Sequence, residues 1–317
     1  MKVQSYTAAA LAVAIKNREV TAVEAVTACL DNIHNSADLN NFITVCADEA
    51  LSEAKRIDGE IKSGKCEGKL LGVPIAVKDN ICTNGVKTTC ASKLLSGFVP
   101  DGDAEVVARL KREGAIIIGK TNMDEFAFGS GNEYSAFGAV HNAIDGSRVP
   151  GGSSGGSANA VAAGQVPLAL GTDTGGSVRQ PAAFCGVVGL KPTYGAVERR
   201  GVIGLCPSLE QVGALSRTCD DALLLFSVLS GRDNACTLDG NIRGKTIGVA
   251  KEFLSPECAD SVRKAFEQAI RALIDCGAKV IEVSVPSFFA GLPAYHVLSS
   301  AEAVNSFREV IKAYPHT

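Results

Sequence analysis

From Leu70 onward the chain alternates short apolar runs with helix-like segments. Leu70–Val77, Ala115–Ile118, Val166–Leu170 and Val187–Leu190 read as strands. Ala104–Glu113 reads as a helix stopped by Gly114, and Gly155–Ala163 as a helix of small residues. Further on, Ser261–Cys276 reads as a helix ended by Gly277, followed by a strand over Lys279–Val285. Strands separated by helices, and apolar enough to be covered on both faces, predict an α/β fold with a largely buried sheet.

The first 65 residues have a different character and read as a helical region. Lys2 followed by the apolar run Ala8–Ile15 loosely resembles a secretory signal, but Lys16, Asn17 and Arg18 follow at once, so a plain first helix is expected. Thr21 and Glu24 form a T-x-x-E capping box ahead of a helix over 22–34, and a further helix is expected over Ala47–Lys62. The polar segment Ser63–Lys69, with Gly64 and Gly68, reads as a loop, and Gly231–Gly244 as a surface connection or subdomain edge. No segment reaches the ~18 continuous apolar residues of a membrane span, so no membrane association is expected.

At 317 residues the chain suits one large domain or two small ones. Its net charge of -3 offers no basic footprint, which disfavours direct, dominant nucleic-acid binding by this chain alone. The eleven cysteines include no C-x-x-C pair, so neither a metal site nor a disulfide framework is expected; free thiols in a reducing cytoplasm are.

Three segments carry candidate chemistry. Val149–Ser157 (VPGGSSGGS) and Gly171–Arg179 (GTDTGGSVR) are rich in glycine and serine, and Val77–Asn80 (VKDN) ends a predicted strand. Taken alone, either glycine-serine segment could be a linker or turn. Both adjoin predicted strands or helices, however, and consecutive glycines let backbone N–H groups converge on an anion. Neither matches the phosphate-binding patterns G-x-x-x-x-G-K-[ST] or G-x-G-x-x-G. Gly151–Gly155 fits G-x-S-x-G, but no strand precedes it, and the four histidines (His34, His141, His296 and His316) offer poor support for a Ser-His-Asp triad. A lysine is the other available base. Burial would lower its pKa from about 10.4 and release a neutral amine, and Lys78 follows an apolar run. A strand-end surface lysine is the alternative.

The stretch GGSSGGSANAVAAG…LALGTDTGGSVRQPAAFCGVVGLKPTYG (Gly151–Gly195), with LGVPIAVKDN and GKTNMDEFAFGS upstream in the same order, closely resembles the amidase signature family. The resemblance runs over about residues 5–303. It implies that family's fold, a mixed central sheet covered by helices on both faces. One amidase domain over 1–317 is expected: an N-terminal helical region 1–65, a core 66–303 and a divergent tail 304–317. Family members continue further, so the C-terminal part of the fold is expected to be missing.

By the same resemblance, Lys78 matches the family's base, Ser153 the serine that follows a cis peptide bond, and Ser177 the nucleophile. The N–H groups of Thr174, Gly175, Gly176 and Ser177 match the oxyanion hole. Ser154, Asp173 and Arg179 are expected to brace the loops. Within the family, TTCASKLLSGFVP, GKTNMDEFAFGSGNEYSAFG and SLEQVGALSRTCDDA are most like the A subunit of the aspartyl/glutamyl-tRNA amidotransferases. That implies glutamine as substrate, with Ala127, Phe128 and Gly129 lining its pocket and Tyr295 or His296 contributing. It also implies B and C partner subunits, no cofactor in this chain, ATP and magnesium at the B subunit, and aminoacyl-tRNA contacted mainly through B. A stand-alone amidase and a non-catalytic fragment are the alternatives.

Overall fold

A computed structural model describes residues 5–65, 67–232, 238–253 and 258–313. They form two compact units, Met1–Asn234 with Ala301–Thr317, and Ala235–Ser300. The division falls inside the polar stretch Gly231–Gly244, of which residues 233–237 lie outside the described residues.

The first unit opens with helices α1 (Ala8–Lys16) and α2 (Ala22–Asn35), strand β1 (Phe42–Val45) and helix α3 (Ala47–Lys62). The capping box of α2 forms as expected. Thr21 Oγ1 accepts from the Glu24 N–H at 3.0 Å, and the Glu24 carboxylate accepts from the Thr21 N–H at 2.8 Å. Strand β2 (Pro74–Lys78), helix α4 (Glu105–Arg112), strand β3 (Ile116–Thr121), helix α5 (Gly155–Ala162) and strand β4 (Leu168–Asp173) follow. A short helix α6 (Arg179–Phe184), strands β5 (Val188–Leu190) and β6 (Gln211–Ser216), and helix α7 (Cys219–Ser230) complete this run.

The six strands form one mixed sheet in the order β1-β3-β2-β4-β6-β5. The central strand β2 is parallel to both β3 and β4, while β1, β6 and β5 join antiparallel. Side chains alternate across the sheet with the period of two that strands impose. Ala76, Ile118, Ala169 and Leu215 pack on one side with α2, α3 and α5. Ile75, Val77, Leu168, Leu170, Val212 and Ala214 pack on the other with α4 and α7. Both faces are thus dry, as an α/β sheet requires.

The observed strands are displaced from the apolar runs that announce them. Leu70–Val73 forms a turn instead of the start of β2, because Gly72 takes φ +74° and the Val73 N–H closes back on Leu70 O at 2.9 Å. Strands β3 and β4 run on through Gly119-Lys120-Thr121 and Gly171-Thr172-Asp173, polar residues that hydropathy alone leaves out. For β4 the extension is held by antiparallel pairing of Gly171, Thr172 and Asp173 with Gly213, Val212 and Gln211.

In the second unit β7 (Thr246–Ala250) pairs in parallel with β8 (Lys279–Val283), and α8 (Asp260–Asp275) lies between them in sequence. The expected strand at Lys279–Val285 therefore exists, but in a separate two-stranded sheet. Helix α9 (Phe288–Ser306) and α10 (Arg308–Ala313) end the described chain. The segment from Ala301 packs on the first unit. Ala303 is buried with Met123, Leu205 and Cys206, and the Phe307 ring lies 4.7 Å from that of Phe126. No described helix is long and apolar enough to cross a membrane, and the nine described cysteines are free thiols.

Candidate active site

The strand period that buries Ala76 on the α5 side of the sheet directs Lys78, two residues later, to the same side. There the chain before α5 turns back, and the Gly152–Ser153 peptide bond in this turn is cis. Lys78 is fully buried. Its Nζ donates to Ser153 Oγ at 2.8 Å, to Thr172 Oγ1 at 3.0 Å and to Thr172 O at 3.3 Å. Burial pushes its pKa down to about 8; Glu210, Asp124, Asp173 and Cys90 pull the other way without restoring the ordinary value. The side chain is therefore a buried amine that can change protonation near neutral pH, in direct contact with a serine hydroxyl.

Ser154 ties this turn to β4. Its Oγ donates to Thr172 O at 3.1 Å, and its N–H donates to Ser177 O at 3.1 Å. This last bond brings the Ser177 backbone alongside Ser153-Ser154. Such a close approach leaves no room for a side chain on the neighbouring strand, since a Cβ at Gly171 would lie 2.8 Å from Ser154 Oγ.

The loop that carries Ser177 is wrapped around Asp173. Its buried carboxylate accepts from the N–H groups of Gly176 (2.8 Å), Val178 (3.0 Å) and Arg179 (3.3 Å). The Arg179 guanidinium grips the same carboxylate through Nε at 3.0 Å and a terminal nitrogen at 2.9 Å. Burial alone would raise the Asp173 pKa, but Arg179 and the backbone donors outweigh it and hold the carboxyl below its usual range.

The structure corrects one expectation at this loop. The Gly176 N–H, expected among the oxyanion donors, is directed at Asp173. Among the described residues Thr174, Gly175 and Ser177 are left as the loop's N–H groups without an acceptor. Asp173→Ala should free three backbone donors, and the loop should loosen. Amide hydrogen exchange at Gly176, Val178 and Arg179 is expected to accelerate, with a stability loss of about 1–3 kcal/mol. Unchanged protection at those amides would rule out this bracing role.

Ala127, Phe128 and Gly129 lie on a loop built around Asp124. The Asp124 N–H donates to Ser153 O at 3.3 Å, so this loop abuts the same turn. Its carboxylate collects the N–H groups of Asn132 (3.0 Å), Glu133 (3.1 Å) and Tyr134 (3.3 Å). Phe126 and Ala127 adopt φ +51° and +64°, conformations that non-glycine residues hold only where their surroundings enforce them. Ala127 is buried, and Phe128 is exposed. Tyr295 and His296 lie in the second unit, their rings 5.6 Å apart.

Several residues absent from the sequence-based set shape the site. Thr172 Oγ1 accepts from both Lys78 Nζ and Asn80 Nδ2, the latter at 3.1 Å. Beside them Asp79 and Lys120 form a fully buried pair at 3.5 Å. Lys120 Nζ also donates to Ile81 O at 2.8 Å and Thr88 Oγ1 at 2.7 Å, and Asp79 accepts from the Thr89 N–H at 2.9 Å. The one sequence signal for this network is the position of Asp79 and Asn80 directly after an apolar strand.

The Amidase family matches residues 24–316. The chain belongs to the amidase family. This match extends past Ala303, through most of the stretch expected to diverge. Among relatives of this amidase, the A subunit numbered 2 of the glutamyl-tRNA(Gln) amidotransferase of Clostridium acetobutylicum is 49% identical over 318 residues, covering 96% of this chain and 66% of its own. The chain thus spans slightly less than two thirds of that relative's length. Among solved structures, the A subunit of the Thermotoga maritima glutamyl-tRNA(Gln) amidotransferase superimposes with a TM-score of 0.84 at 36% identity, covering 97% of this chain and 68% of the other. The peptide amidase of Stenotrophomonas maltophilia does so with a TM-score of 0.86 at 33% identity, covering 96% and 68%.

Proposed function

We propose that this amidase hydrolyses the side-chain amide of glutamine and releases ammonia for transamidation of misacylated Glu-tRNA(Gln) or Asp-tRNA(Asn). The observation that carries the chemistry is the buried Lys78 amine 2.8 Å from Ser153 Oγ, with a pKa of about 8. Neutral Lys78 takes the Ser153 proton as Ser153 takes that of Ser177, and Ser177 Oγ attacks the amide carbon. The N–H groups of Thr174, Gly175 and Ser177 stabilise the oxyanion. As the tetrahedral intermediate collapses, the relay returns the proton to the departing nitrogen. Ammonia leaves, and water then hydrolyses the acyl-Ser177 ester by the same route. Ala127, Phe128 and Gly129 line the glutamine side of the site.

The transamidation role is supported by the names of the relatives and by the family's subgroup motifs. In this reading the chain works in the cytoplasm with B and C subunits. The B subunit binds ATP and magnesium and makes most contacts to the aminoacyl-tRNA. A second reading, a stand-alone amidase on a small amide, is favoured by the equally good superposition on peptide amidase.

The two readings separate in one assay, glutamate release from glutamine by the chain alone and with added B and C subunits. Hydrolysis that appears or rises strongly with the subunits is expected. Cleavage of simple amides but not of glutamine, regardless of the subunits, would favour the stand-alone enzyme. A folded chain inactive on either substrate in every assembly would sink both.

A further inference from the structure

A buried carboxylate with no place in the relay lies close to Lys78. Glu210 immediately precedes β6, one residue beyond the rung that pairs Gln211 with Asp173. It is 2% exposed. Its Oε2 accepts from the Leu205 N–H at 2.9 Å, and its own N–H donates to Cys206 O at 2.8 Å. The other oxygen, Oε1, has no hydrogen-bond donor among the described residues. A buried carboxylate so weakly satisfied is costly unless a cation compensates it through space.

The backbone places that cation. Ile203, at the start of the Glu210 loop, is clasped from both sides by Asn80: the Ile203 N–H donates to Asn80 O at 2.8 Å, and Asn80 Nδ2 donates to Ile203 O at 3.2 Å. The same Nδ2 shares Thr172 Oγ1 with Lys78 Nζ. Lys78 also feels Asp124 from the loop after β3, Asp173 from β4 and Cys90 from the loop after β2, but Glu210 acts on it most strongly. Asp124 and Asp173 are each occupied by three backbone donors, and Asp173 also by Arg179. Lys120 and Asp79 face one another. On the far side of the Glu210 loop, Glu302 is occupied by the Ser208 N–H and Cys206 Sγ.

Complete burial without a countercharge would leave Lys78 a poor proton acceptor, because a base works best when its pKa lies near the working pH. We propose that Glu210 is a positioning residue that acts through Lys78: its buried carboxylate keeps the lysine basic enough to take the proton from the serine relay, without itself touching substrate. This rests on Lys78 being the base of the proposed hydrolysis.

The test measures Lys78 directly, so it does not depend on turnover. The protein carries lysine labelled with carbon-13 at Cε, and the Lys78 resonance is assigned by its loss in Lys78→Met. Its titration midpoint is compared among wild type, Glu210→Gln and Glu210→Asp. Glu210→Gln keeps an acceptor for Leu205 and is expected to lower the midpoint by at least about half a pH unit, while Glu210→Asp stays near wild type. A midpoint unchanged by Glu210→Gln overturns the proposal.

A parallel measurement follows the pH dependence of Ser177 labelling by a fluorophosphonate. There Ser177 Oγ bonds to phosphorus, fluoride leaves, and the hydroxyl proton passes to Lys78. The acid limb of the Glu210→Gln profile should move to lower pH and its plateau should fall severalfold, as a weaker base dictates. A midpoint that moves in a protein that is never labelled would leave Glu210 in place and sink the nucleophile reading instead.

Discussion

Ser177→Ala is expected to lower amide hydrolysis by about 10⁵- to 10⁶-fold while leaving the fold intact. The size of the effect follows from the relay. In the proposed relay Ser177 Oγ is the atom that attacks the carbonyl, and its loss removes the acyl-enzyme route altogether. The fold should survive because Ser177 is held through its backbone: its carbonyl accepts from Ser154, and the residues on either side of it donate to Asp173. The check is the rate of glutamate release together with mass-spectrometric detection of the acyl-enzyme, alongside a circular dichroism melt. Hydrolysis within tenfold of wild type by a correctly folded Ser177→Ala protein would remove Ser177 from the mechanism.

Lys78→Met should cost about 10²- to 10⁴-fold in acylation, the range of a positioned general base, and should change how stability depends on pH. In the unfolded chain Lys78 titrates at its ordinary value of 10.5; in the fold burial lowers this to about 8. The native state therefore binds fewer protons than the unfolded state between these values. Below about pH 8 the full cost of burying the group is carried, and it fades as the pH rises toward 10.5. That cost amounts to about 3 kcal/mol. Methionine removes this titration, at the loss of three hydrogen bonds to Ser153 and Thr172 worth about 1 kcal/mol each and of the cation beside Glu210. The denaturation midpoint of wild type, measured relative to Lys78→Met, should rise as the pH goes from about 8 toward 10.5. Wild-type acylation should itself rise with pH through about 8. A difference between the two midpoints that stays constant across that range would show that Lys78 does not titrate at a lowered pKa in the fold.

Parts of this architecture were legible from residues alone. The capping box at Thr21 and Glu24, helix α3 over Ala47–Lys62 and the small-residue helix α5 appear where spacing and punctuation put them, because each depends on contacts within a few residues. The polar ends of β3 and β4 were not legible. Lys120, Thr172 and Asp173 are strand residues because neighbouring strands pair with them, and hydropathy carries no record of pairing. The Gly176 N–H illustrates the same limit at the site. The motif assigns it to an oxyanion, while Asp173, three residues earlier, already holds it.

Residue type and local spacing were enough for the α/β class and for marking the glycine-serine loops and the lysine as candidates, while the family and their link to amide cleavage came from the resemblance of Gly151–Gly195 and the segments upstream. The condition of that lysine came only from the fold. A lysine at the end of an apolar strand could be exposed and charged or buried and titratable, and the sequence allows both. Packing of α5 against the sheet places Ser153 at 2.8 Å, and Asn80 ties the Glu210 loop beside it. Charge in a low-dielectric interior depends on distances between residues far apart in the chain, and only the folded arrangement sets those distances.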